Sequence, residues 1–129
     1  MGYAVVHKAS GTFAQVVEQT RQALADQGFG IMAEIDVAAA LKKRLGVDYP
    51  RTLILGACNP ALAHRALQAV TDISVLMPCN VVVREDGQGN VEVAAIDTMA
   101  MAHLVNHPQF DTIATEVGHL LSQALATIP

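Results

Sequence analysis

Apolar positions along the chain switch between a period of two and a period near 3.6, and the switches divide it into short strands and amphipathic helices. Residues 3–9 are short and rich in β-branched side chains, which predicts a first strand. Phe13, Val16, Val17, Thr20 and Leu24 then recur on one helical face. Thr12 and Gln15 have the spacing of a capping box at its start, and Gly28 tolerates the left-handed backbone that ends a helix. Over residues 29–35, Phe29, Ile31, Ala33 and Ile35 alternate with Gly30, Met32 and Glu34, predicting a second strand. Asp36 is a good N-cap for a short second helix with Val37, Ala40, Leu41 and Leu45 as its apolar positions. Lys42, Lys43 and Arg44 fall in its last turn, where positive charge suits the helix dipole, and Gly46 closes it.

Residues 51–57 predict a third strand. Asn59 and Pro60 then start a third helix over residues 60–70, Asn as cap and Pro where no donor is needed. Residues 73–84 predict a fourth strand, interrupted at Pro78, because proline cannot donate to a ladder. Asp86-Gly87-Gln88-Gly89-Asn90 is a turn cluster, and residues 91–96 complete a hairpin. A loop or short helical turn over 98–104 leads to a last helix beginning near Asn106-His107-Pro108. The apolar face of that helix runs from Phe110 through Ile113, Val117 and Leu121 to Leu125. The order is β-α-β-α-β-α-β-β-α, an α+β (α/β-type) domain with a small mixed sheet of about five strands and helices mainly on one face. Strands three and four, joined by a helix, are expected to be a parallel βαβ pair.

With 129 residues and no repeat or linker, the chain is expected to form one domain spanning residues 1–129. A hydrophobic share of 52% against 16% charged residues supplies a core and argues against disorder. Eight basic against twelve acidic residues, net charge −4, lack the basic stripe that phosphate neutralisation needs, so no nucleic-acid partner is expected. Residues 73–83 are too short and too interrupted to span a bilayer, and the N-terminal residues lack the order of a secretion signal. Two cysteines without such a signal fit a reducing compartment, so a cytoplasmic protein with no membrane partner is expected.

Candidate chemistry is sparse. Cys58 precedes a helix cap, where the positive end of the dipole is expected to favour its thiolate, and Cys79 lies on the neighbouring strand. If those strands are parallel, both thiols reach the carboxyl edge of the sheet, the usual place for a ligand. Glu34 and Asp36 share a strand face and could act as an acid–base pair, though capping explains Asp36 and an ion pair with Arg51 or Arg84 would explain Glu34. His103 and His107 have the spacing of two metal ligands on one helix, but Asn106 and Pro108 place a helix boundary between them. No metal site is assigned and the cofactor is unknown. No phosphate loop or nucleophile elbow is present.

Three segments, Gly28-Phe29-Gly30-Ile31-Met32-Ala33-Glu34-Ile35-Asp36-Val37, Leu53-Ile54-Leu55-Gly56-Ala57-Cys58-Asn59-Pro60 and Leu76-Met77-Pro78-Cys79-Asn80-Val81-Val82-Val83, follow in an order that resembles the family called domain of unknown function 302. The resemblance implies a small prokaryotic α+β domain, in some members a homodimer, without established activity. Its usual pattern has Gly at the position of Cys58 and an aliphatic residue at that of Cys79. Three functions follow. The first is a homodimeric module binding a small molecule or effector near Glu34, Asp36, Cys58, Asn59, Cys79 and Asn80. The second is a thiol-based redox or metal-handling protein using Cys58 and Cys79, and the third is an interaction domain without chemistry.

Overall fold

The computed structural model describes residues 2–129. Its strands are β1 (Ala4–Ala9), β2 (Gly30–Asp36), β3 (Thr52–Cys58), β4 (Cys79–Glu85) and β5 (Val91–Ile96). The helices are α1 (Phe13–Asp26), α2 (Val37–Leu45), α3 (Pro60–Ala69), α4 (Thr98–Val105) and α5 (Pro108–Ala126), with a 3₁₀ turn at Thr71–Leu76. The helix boundaries are set by the caps. Gln15 N–H donates to Thr12 Oγ1 at 3.2 Å while Thr12 N–H donates to Gln15 Oε1 at 3.0 Å, the reciprocal capping box. At the other end of α1, Gly28 N–H donates to the Ala25 carbonyl and Phe29 N–H to that of Leu24. This Schellman closure needs the positive φ of 85° that Gly28 supplies. Asp36 caps α2 through Ala39 N–H at 2.9 Å, and Gly46 ends it in left-handed backbone.

The five strands form one sheet in the order β1-β5-β4-β3-β2, and every neighbouring pair is antiparallel. The α+β class, the five strands and their succession match the sequence pattern, but the expected parallel β3–β4 pair does not form. Residues 73–76, read as the start of a strand, belong to the 3₁₀ turn instead. There Ser74 Oγ donates to the Thr71 carbonyl at 3.0 Å and Ile73 is buried among helices. That extra turn returns the chain to the end of the sheet where β3 finished, so Ala57 pairs with Cys79 and the strands run in opposite directions.

A second correction concerns β2. Its register slips between Ile31 and Ala33, a bulge that reverses the faces of everything after it. Ile31 packs into the core, whereas Ala33 and Ile35 turn to the opposite side, and Glu34 and Asp36 share the face of Leu55 and Leu53.

The buried core lies between one sheet face and the helices. Val16, Val17 and Leu24 of α1 and Leu121, Ala124 and Leu125 of α5 pack on Leu55, Ala57, Val81, Val83, Val91, Val93 and Ala95. A second cluster, nearly all helical, joins Leu62 and Ala66 to Ile73, Met101, Phe110 and Ile113. Helix α2 belongs to neither and buries no residue. Among the described residues no helix is long and apolar enough to cross a membrane.

Candidate functional site

Where β3 ends, the backbone passes straight into α3. Asn59 Oδ1 accepts from Leu62 N–H at 3.2 Å, and Pro60 occupies the first helical position, where its missing donor costs nothing. Cys58 is therefore fixed between the last strand bond and the cap. Antiparallel pairing brings the first residue of β4, Cys79, to the same end of the sheet. Cys58 and Cys79 thus lie on neighbouring strands at one end of the sheet, through an antiparallel turnaround rather than the parallel crossover expected.

Between these strand ends and the second helical cluster lies a narrow apolar cavity of about 50 Å³. Cys58, Asn59, Met77 and Cys79 wall it on the strand side, and Leu62, Met101 and Phe110 on the helix side. The space suits a few-atom apolar group and little else, since its walls offer almost no polar atoms. Burial pushes the Cys58 thiol above its usual pKa. Burial, with a smaller contribution from the neighbouring Cys58, pushes Cys79 up to about 11. The expectation of a favoured Cys58 thiolate is therefore reversed, because desolvation of the sulfur outweighs the helix end. The order of the two residues survives. Both are half-buried free cysteines, protonated at neutral pH.

The remaining sequence candidates lie elsewhere. Glu34 pairs with Arg21 of α1, not with Arg51 or Arg84. Arg51 instead holds Glu85 at 2.8 Å and Arg84 holds Glu92 at 3.2 Å, because the bulge in β2 turns Glu34 toward α1. Asp36 is occupied as the cap of α2. Asn80 sits opposite Gly56, on the sheet face away from Cys79. Only Cys58, Asn59 and Cys79 of the six meet at the cavity. His103 lies in the last turn of α4, while His107 caps α5 by accepting from Gln109 N–H at 3.2 Å. Left-handed Asn106 (φ 54°) stands between them, so they share no helix face. Among the described residues no three His, Cys, Asp or Glu side chains gather as a metal site.

Four residues of the wall, Ile73, Met77, Thr98 and Met101, were not legible in the sequence pattern. Ile73 and Met77 were concealed in a run that reads as strand. Thr98 and Met101 fell in a segment read as a loop or short turn, although Asp97, which accepts from Met99 N–H at 3.0 Å, was a legible cap for α4. A second, shallower hollow of about 250 Å³ lies beside β1 and β5, rimmed by Asp97, Thr115, His119 and Ser122. Among the described residues no hydrogen bond joins Asp97, His119 and Ser122, so they form no relay.

The arrangement defines a two-layer α+β domain, one antiparallel sheet with its cavity under the helical layer. The family described as "Domain of unknown function DUF302" matches residues 5–128, and the chain belongs to it. An uncharacterized conserved DUF302 protein from Bacillus stearothermophilus has a similar crystal structure, with TM-score 0.91 over 98% of both chains at 23% identity. At that identity the likeness speaks for the fold. No curated protein matches the chain.

Proposed function

We propose that the protein is a small-molecule-binding module, cytoplasmic and homodimeric, that holds a compact apolar group in the cavity beside Cys58 and Cys79. The observation that supports this is the cavity's wall, an almost wholly apolar surface bordered by Cys58 and Cys79, whose thiols are neutral. The raised thiols favour binding over thiol exchange or metal handling, because the thiolate is the nucleophile and the ligand. Neutral sulfur instead behaves as a soft, polarisable apolar surface. Two free cysteines fit a reducing compartment.

Xenon and cyclopropane, small enough for about 50 Å³, serve as probes in an amide NMR titration of the full chain. Binding should give saturable shifts clustered at Cys58, Asn59, Ile73 and Met101. Ala63→Leu, which extends a half-buried wall residue into the space, should abolish them. Shifts that do not saturate, or that cluster at the hollow beside β1, contradict the reading.

A further inference from the structure

The sheet face turned away from the core carries a self-complementary pattern. The register sets side chains in rows across the strands. One row reads Lys8, Glu92, Arg84, Thr52 across β1, β5, β4 and β3. The next reads Val6, Ala94, Val82, Ile54, Ile35 across all five strands. None of those five apolar residues belongs to either core cluster. At the two edges Val6 is 47% and Ile35 51% exposed, while between them Val82 and Ile54 are half-buried and Ala94 is buried; α2, the one helix outside the core layer, buries nothing. An apolar row crossing a whole sheet, flanked by alternating charges, is not the polar outer face expected where water covers a sheet.

We infer that a second copy of this chain covers this face, through a two-fold axis parallel to the strands and passing between β5 and β4. The inference rests on the homodimer reading and names its interface. Such an axis exchanges β5 with β4 and β1 with β3 while keeping every row at its own height. Glu92 of one copy then stands over Arg84 of the other, and Arg84 over Glu92, which gives two reciprocal charge pairs. Val6 meets Ile54 and Ala94 meets Val82, which makes the contact isologous. Within one chain Arg84 and Glu92 are already joined at 3.2 Å, so stacking builds an alternating cluster of four charges. Four of the five strands overlap, with β2 projecting beyond the other copy; at about 4.8 Å spacing they give a footprint of roughly 400 Å² per copy in projection. Side-chain relief raises that toward the roughly 600 Å² per partner at the small end of specific interfaces. Sheets stacked in this way keep their strands within about 30° of one another.

Sedimentation velocity of the full chain at micromolar concentration supplies the test, with wild type, Arg84→Glu, Glu92→Arg, and the two variants mixed. The wild type should be dimeric. Each variant alone sets like charges against each other twice and should dimerise about a hundredfold more weakly. Their mixture should recover the dimer, since each new side chain then meets its opposite on the other copy, while the ion pair within each chain stays broken. Val6→Lys, on an exposed edge strand that the monomer fold tolerates, should also yield monomers. A monomeric wild type overturns the homodimer reading and this interface together. A dimeric wild type whose three variants all stay dimeric keeps the dimer and removes this face. Variants that dissociate but do not recover on mixing overturn the two-fold arrangement.

Discussion

Leu55 and Ile54 are neighbours on β3 and face opposite sides of the sheet. Leu55 is fully buried beneath the helices, whereas Ile54 is half-buried on the side away from both core clusters. The helix-covered side is held together by close contact and carries the cavity with its two thiols. The open side is equally apolar in its central row, but neither core cluster extends over it. Strand-level hydrophobicity therefore does not distinguish a core face from an open face. The helices that pack on one side make the distinction.

The largest expected effect breaks or keeps that contrast directly. Leu55→Ala should cost about 2–5 kcal/mol, the usual loss for emptying a packed aliphatic site. Ile54→Ala should cost about 1 kcal/mol in dilute solution, where the open face is free. Urea melts of both variants measure the difference, and equal losses would mean that both faces are covered. Next in size is an alkaline effect of the cavity. Cys79 titrates near 11 in the fold against 9.0 unperturbed, so the unfolded chain releases its proton first. The native state therefore holds more protons between those values, and stability falls as pH rises through that window. The contribution is intact below about pH 9 and lost above about pH 11, on the order of 2–3 kcal/mol at most. Comparing alkaline melts of wild type and Cys79→Ala isolates it; a parallel decline in both would contradict the burial of that thiol.

Much of this was legible in the sequence. Thr12, Asp36 and Asn59 cap the helices they were expected to cap, because a short polar side chain before an apolar period is a local signal. Gly28 and Gly46 end helices for the same local reason. Two misreadings share one physical origin. Residues 73–77 are apolar enough for a strand, but Ile73 is drawn among the helices, and no local rule reveals that. Met32 sits where the β2 register slips, and alternation alone cannot announce a bulge. Of the site, Cys58 and Cys79 were found by residue type, while Met77, Thr98 and Met101 depend on tertiary placement. The thiol pKa was misjudged because the helix end is visible in sequence and desolvation is not.

A smaller effect probes how tightly the helical layer is closed. A Cβ at Gly118 of α5 would stand 2.5 Å from Thr98 Oγ1. That hydroxyl donates to the Ala114 carbonyl at 2.7 Å and is buried, so it has no room to yield. Gly118→Ala gains up to about 1 kcal/mol in helix propensity. Overpacking typically costs about 1–3 kcal/mol and should win, leaving a net loss of about 1 kcal/mol. A higher melting temperature for the variant would show that α4 and α5 are not locked together at this point.

A small-ligand cavity bordered by two neutral thiols at the helix-covered end of β3 and β4 stands or falls on how those thiols react. The deciding measurement is the iodoacetamide alkylation rate of each cysteine in the native protein, followed by peptide mapping across pH, with and without dissolved xenon. Cys58 should react before Cys79, its rate should still be climbing at about pH 9, and xenon should slow it. A Cys58 rate that levels off near neutral pH and ignores xenon would overturn both the neutral thiol and the cavity's role.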